Sequence, residues 1–377
     1  MKKIFYWSPH IDPQIATVKS VTNTISFLVK YYKSLDINLI NVFGEWDKFE
    51  NQNIKKINLI THRNLIKKKF KGFLSSRLLY FQIFFESYFL LKKKIKKERP
   101  NFIIIHLITI IPIVLFLFNN FQTKLILRIS GLPKQNIFRF FLWKIASKKI
   151  SKIICPTQQT KKFLIEKDIF PSEKIFTVPD PIIEVKKVNI LKKKPLKENF
   201  KKPYFLTIGR FTKQKNHFFL INFFSKNKNY LEKHNLIIIG DGELKVKYQK
   251  KIQESGLQNN IQILDYKKNV FNYIKSAKCV ISSSLWEDPG FIMIEAASVN
   301  TPIITSDCPN GPKEFIDQNK CGFLYASNNE QSFKISLDEF LNISEKDLSI
   351  KLFNAKKKTK FYTCFYNALK LNDIINK

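Results

Sequence analysis

Two rhythms of apolar residues alternate along this chain. Short apolar runs at Met1 to Trp7, Ile37 to Asn41, Phe102 to His106, Lys124 to Ile129, Lys152 to Cys155 and Lys174 to Val178 predict strands. Longer stretches between them, near Val18 to Tyr32, Ser76 to Lys97 and Ile137 to Ser147, predict helices. The same order resumes with Tyr204 to Ile208, Ile237 to Ile239, Ile281 to Ser284 and Thr301 to Asp307, and beyond Glu330 the chain reads as helical to Lys377. Alternating strands and helices predict parallel sheets with helices on both faces, an α/β protein. The lysine- and proline-bearing stretch Pro181 to Pro203 is the best linker. This divides the chain into a domain over residues 1–182, a linker over 183–203, a second domain over 204–355 and a tail over 356–377.

One apolar run, Phe102 to Phe118, reaches the short limit for a membrane span. Pro112 and His106 divide it into a strand and a short buried helix starting near Pro112, a position where proline is favoured. The first strand runs straight into Ser8-Pro9-His10, so no long apolar stretch reads as a signal peptide. Five cysteines, Cys155, Cys279, Cys308, Cys321 and Cys364, are odd in number and lack paired metal spacing, which points to a reducing cytoplasm. A length of 377 residues suits two or three domains.

The formal charge of +35 raises the prospect of a nucleic-acid binder. The distribution argues otherwise, because of 65 cationic residues six are arginines, the lysines are scattered, and Lys, Ile, Asn and Phe are jointly abundant while glycine is scarce. That pattern looks like genomic nucleotide bias, and no nucleic acid is expected as a partner. A basic surface also attracts anionic lipid headgroups. Clusters at Lys67 to Lys71 and Lys92 to Lys97 lie near Phe81, Phe84, Phe85, Tyr88 and Phe89. A helix with a core-facing aromatic side and solvated lysines is the first reading of these clusters, and docking on an anionic membrane surface the second.

The richest candidate chemistry lies at Trp286-Glu287-Asp288-Pro289-Gly290-Phe291-Ile292-Met293-Ile294-Glu295. Gly290 suits a tight loop beside a ligand, and Phe291 onward reads as the first turns of a helix. Such a terminus offers N–H donors and partial positive charge to phosphate, while carboxylates accept from sugar hydroxyls. Strand, loop, helix and strand in that order form a βαβ unit, whose ligands sit at the carboxyl ends of the strands.

With two further blocks, Tyr204 to Tyr325 resembles the donor-binding half of the retaining glycosyltransferases of family four, glycosyl transferases group 1. The first block is Phe205-Leu206-Thr207-Ile208-Gly209-Arg210-Phe211-Thr212-Lys213-Gln214-Lys215-Asn216, and the second is Ile237-Ile238-Ile239-Gly240-Asp241-Gly242-Glu243. Gly311-Pro312-Lys313-Glu314 and Gly322 complete the third. The resemblance implies the GT-B fold, with two Rossmann-like doubly wound domains facing across a cleft and a C-terminal helix crossing back to the first. It implies that Arg210 and Lys215 hold the donor diphosphate, Glu295 contacts the ribose and Glu287 lies beside the transferred sugar. Gly209, Gly240, Gly290, Phe291, Ile292 and Met293 complete the implied donor site.

The chemistry supports those roles independently. A nucleotide sugar leaves as a diphosphate, so catalysis needs preorganised cations or N–H donors at its oxygens. Arginine grips phosphate bidentately and lysine adds a compact charge. Glu287 is read as a positioning and charge-stabilising residue, since a front-face path assisted by the leaving phosphate is the usual proposal for this family. Gly240-Asp241-Gly242-Glu243 superficially resembles the Asp-any-Asp metal motif of the other glycosyltransferase fold. At a strand end it reads better as a turn and helix start, so neither metal nor cofactor is expected and the nucleotide sugar, linked to UDP or GDP, is a co-substrate.

The N-terminal half departs from the family. Ile11-Asp12-Pro13-Gln14-Ile15-Ala16-Thr17 stands where members often carry a Gly-Gly pair, and Arg128 and Ser130 occupy the strand end that frequently bears a histidine. His10, His106, Arg128 and Ser130 are the acceptor-side candidates. The expected function is transfer of a sugar to a glycan or lipid-linked acceptor with retention, in cell-envelope polysaccharide or lipopolysaccharide synthesis. The expected location is the cytoplasm or the inner face of its membrane. The alternatives are a noncatalytic binder of nucleic acid or anionic surfaces, and a phosphorylase of the same fold.

Overall fold

The structure, a computed structural model, describes residues 1–10, 16–60, 73–133 and 135–376. Residues 11–15 of the loop after the first strand, the Lys67 to Lys71 cluster and the Phe81 side chain lie outside the described residues. The chain forms two compact units, Met1–Pro179 with Asn367–Lys377, and Asp180–Tyr366.

The first unit is built on a parallel sheet of β1 (Lys2–Trp7), β2 (Leu35–Asn41), β3 (Lys55–Asn58), β4 (Phe102–Ile105), β5 (Lys124–Arg128), β6 (Ile150–Cys155) and β7 (Ile175–Thr177). Its order is β3-β2-β1-β4-β5-β6-β7. Because both faces are covered, β4 is apolar and buried at every residue, and its neighbours β1 and β5 are buried along most of their length. Leu91, Ile113, Trp143 and Leu164, from four successive crossover helices, cover one face. The other face packs Val21, Ile25 and Leu28 of helix Ala16–Tyr31 together with Ala368, Leu371 and Ile375 of the last helix, Cys364–Asn376. Asn367 ties that helix in, accepting from Thr24 Oγ1 at 3.0 Å and donating to the Pro179 carbonyl at 2.8 Å.

The second unit's parallel sheet holds β8 (Tyr204–Ile208), β9 (Asn235–Ile239), β10 (Ile261–Leu264), β11 (Cys279–Ser282), β12 (Ile303–Ser306) and β13 (Phe323–Tyr325), in the order β10-β9-β8-β11-β12-β13. Phe219, Phe223, Tyr248 and Phe333 pack on one face. Ile274, Met293, Ile294 and Phe315 pack on the other.

Phe102 to Phe118 divides as expected into β4 and a helix, Ile110–Leu117. Among the described residues no helix is long and apolar enough to cross a membrane. Residues 183–203, read above as a linker, contain helix Val185–Leu191, and Ile183 and Val188 are buried in the second unit's core. The few apolar positions there are spaced among lysines, which hid their common side. β3 was also missed, since only Ile57 of its four residues is buried, as suits an exposed edge. The tail is broken at Thr359–Tyr362 by a short turn between helices Glu345–Lys358 and Cys364–Asn376.

Candidate active site

In the second unit the chain leaves β8 towards β9 on one side and returns to β11 on the other. Loops at the carboxyl ends of β8 and β11 therefore diverge and leave a crevice, the position at which open α/β sheets bind ligands. Gly209, Arg210 and Lys215 follow β8, and Glu287 follows β11. The two loops are joined by backbone, as Leu285 N–H donates to the Gln214 carbonyl at 2.8 Å. Gln214 Nε2 in turn donates to the Trp286 carbonyl at 3.0 Å, and Ser283 Oγ donates to the Lys215 and Asn216 carbonyls at 3.1 and 3.0 Å.

The result is a buried charge cluster. Lys215 Nζ donates to Glu287 Oε1 at 2.6 Å, and Ser284 Oγ donates to the same oxygen at 2.5 Å. Glu287 is 4% exposed, so its carboxylate depends on these donors for the solvation it has lost. Its Oε2 has no partner among the described residues. An ammonium has three donors, so Lys215 can hold Glu287 and still reach a phosphate oxygen. Arg210, in contrast, is exposed, and its guanidinium has no partner among the described residues.

Glycines shape this crevice. A Cβ on Gly209 would meet Lys215 Cγ at 3.1 Å. Gly240, in the implied donor site, also meets protein: a Cβ there would lie 2.0 Å from the Gly209 carbonyl oxygen. Phe211 N–H donates to the Asp241 carbonyl at 2.8 Å and Leu244 N–H to the Phe211 carbonyl at 3.0 Å, so the first two sequence blocks form one backbone-locked unit. Behind it, Thr207 Oγ1 and His217 Nδ1 lie 3.1 Å apart. Burial, reinforced by the charge of Lys215, holds the His217 imidazole down at a pKa of about 3, so it is neutral.

Gly290 (φ 95°) caps helix Phe291–Ser298 in the left-handed region. Ile292 and Met293 are buried in the core, so only their backbone can meet a ligand, and Met293 N–H already bonds to the Gly290 carbonyl at 3.2 Å. Phe291 is half-buried, and Glu295 is 8% exposed one turn further on. Burial pushes the Cys308 thiol up to about 12, which removes it as a thiolate nucleophile. Ser284 was not singled out as a site residue. The signal was present in a run of hydroxyls at a strand end three residues before the acid.

In the first unit, β1 and β4 flank the corresponding reversal of strand order. His10 follows β1 and His106 follows β4, with His106 N–H donating to the Trp7 carbonyl at 2.9 Å. His106 Nε2 and Ser130 Oγ are 3.0 Å apart, and burial together with the nearby Arg128 charge holds the His106 pKa well below its ordinary value. Arg128 is itself buried, and His10 packs edge-on against Trp46 with ring centroids 4.4 Å apart. Three of the four acceptor-side candidates, His106, Arg128 and Ser130, thus gather at the carboxyl ends of β4 and β5. Among the described residues no group of three His, Cys, Asp or Glu side chains is placed to hold a metal ion.

Two doubly wound sheets, one with a cationic and carboxylate cluster at its reversal of strand order, define an α/β protein of the GT-B type. Residues 189–358 match the family described as glycosyl transferases group 1. An uncharacterised glycosyltransferase of Methanocaldococcus jannaschii is 32% identical over 323 residues, 80% of this chain and 76% of the relative. The Escherichia coli UDP-Gal:alpha-D-GlcNAc-diphosphoundecaprenol alpha-1,3-galactosyltransferase is 28% identical over 229 residues, 55% of this chain and 57% of that enzyme. A Rickettsia africae glycosyltransferase structure superposes with a TM-score of 0.76 at 17% identity, covering 99% of this chain and 97% of the other. The chain belongs to the glycosyl transferases group 1 family.

Proposed function

We propose that this glycosyltransferase moves a sugar from a nucleoside diphosphate sugar to a lipid-linked glycan in cell-envelope polysaccharide synthesis, with retention and without a metal ion. The observation that carries the reading is the asymmetry of Glu287, whose Oε1 takes both Lys215 and Ser284 while Oε2 is left for a substrate. A carboxylate held by an ammonium and a hydroxyl is a weak nucleophile and a good hydroxyl acceptor. It would orient the sugar while Lys215 and Arg210 take the charge that develops on the leaving diphosphate, the task a metal ion would otherwise perform. The proposal of a lipid-linked acceptor draws on the E. coli relative, whose name specifies a diphosphoundecaprenol substrate. On this reading the chain works as a peripheral protein on the inner membrane face.

The test is transfer from UDP- and GDP-sugars to a polyprenyl-diphosphate-linked N-acetylglucosamine with EDTA present, the product anomer being read by NMR. Retained anomeric configuration in EDTA is expected. An inverted anomer, loss of transfer to the chelator, or failure to bind or turn over any nucleotide sugar would each overturn the corresponding part.

A further inference from the structure

The first unit leaves one helix apolar on its outer side. Trp143 and Ala146 of helix Ile137–Ala146 are buried, whereas Ile137, Phe138, Phe141 and Ile145 are 85%, 84%, 67% and 49% exposed. At about 100° per residue these four share one arc of the helix, opposite Trp143 and Ala146. Exposed lysines flank the arc: Lys144 within the helix, and Lys148 and Lys149 just beyond it.

The patch continues on the neighbouring helices. Helix Ile110–Leu117 packs against this helix and against Phe73–Glu98, and Phe118 at its end is 77% exposed. On Phe73–Glu98, Phe85 and Phe89 are 59% and 66% exposed, and the same helical stripe runs on into exposed Lys93 and Lys96. Exposed aromatic side chains on adjoining helices, two of which also carry exposed lysines, exceed the scattered apolar residues of an ordinary surface.

We propose that this face docks on an anionic lipid surface, with Phe138, Phe141 and Ile137 entering the headgroup boundary and the flanking lysines meeting lipid phosphates. Apolar insertion and basic attraction are the two signals that together give stable interfacial attachment. A second copy of the chain fits the face poorly. A two-fold contact would set this basic rim against itself in a protein of net charge +35. Docking here rests on and sharpens the peripheral reading above, but it is measured on plain vesicles without donor or acceptor, so either can fail alone.

The full chain is floated with vesicles of equal parts phosphatidylglycerol and phosphatidylcholine, and with phosphatidylcholine alone. Binding to the anionic vesicles is expected to be at least about tenfold stronger and to weaken with salt. The double variant Phe138→Asp/Phe141→Asp should lose about tenfold or more of that binding. Its melting temperature and hydrolysis of a soluble nucleotide sugar should stay unchanged. Lys93→Glu with Lys148→Glu should reduce the preference for anionic vesicles. A wild-type chain that stays out of the vesicle fraction, or a double variant that floats as well as wild type, overturns the proposal. So does sedimentation showing a dimer that the double variant dissociates, without vesicle binding.

Discussion

Ser284 donates its hydroxyl to the same Glu287 oxygen that Lys215 holds, at 2.5 Å and 2.6 Å respectively. Both donors therefore fix one edge of the carboxylate, and the other edge faces away from protein partners. Ser284→Ala is expected to lower kcat by roughly tenfold, since a hydrogen bond to a charged group contributes on the order of 1.5 kcal/mol, with little change in nucleotide affinity. Equal kcat in the variant and the wild type would remove Ser284 from the site.

Lys215→Ala leaves the Glu287 carboxylate buried without its cation, and is predicted to cost about 2 to 3 kcal/mol of stability as well as turnover. Adding Glu287→Gln should recover most of the stability and none of the activity. Chemical denaturation of the single and double variants decides this, and an unrecovered midpoint would show that the two residues are not coupled in the fold.

Arg210 is exposed and unpartnered among the described residues, so it does not hold up the fold. Arg210→Ala should leave the melting temperature within the small range of surface substitutions while lowering turnover by about 3 kcal/mol of transition-state stabilisation. Steady-state kinetics beside a thermal melt separates the two effects.

His217 gives a pH dependence of defined sign. Its folded pKa, about 3, lies below the ordinary 6.5, so the unfolded chain takes up a proton that the folded one refuses. Its contribution is fully present above pH 6.5 and falls as pH drops towards 3, by up to about 1.4 kcal/mol per pH unit. The difference in stability between the wild type and His217→Gln, followed by denaturant midpoints from pH 7 to pH 4, should shrink on acidification. A constant difference would contradict a buried neutral imidazole.

Gly240→Ala is expected to cost at least about 3 kcal/mol, because the new methyl group would collide with the Gly209 carbonyl at a backbone position of φ 158°. A thermal melt close to that of the wild type would mean that the two loops part easily.

Much of the fold was written in local pattern. The apolar runs at Met1 to Trp7 and Phe102 to His106 marked β1 and β4, and Pro112 and His106 correctly broke what could have been a membrane span. Local pattern failed where burial was sparse or shared with distant segments. Lys55–Asn58 buries a single residue, and Val185–Leu191 shows its apolar side only against a core supplied by residues far along the chain. The outward arc of Ile137–Ala146 was equally unreadable, since an apolar helix looks the same whether both of its sides are covered or one.

By itself the sequence determined the kinds of elements, their alternation and the residue types available for chemistry, because periodicity and side-chain character are local properties. Only the tertiary structure decided that β8 and β11 lie side by side, that Lys215 and Ser284 converge on one oxygen of Glu287, and that Gly240 serves Gly209. Ser284 stands three residues before Glu287, but Lys215 and Gly209 stand tens of positions from Glu287 and Gly240, and strand order, which no local pattern encodes, is what brings them within reach.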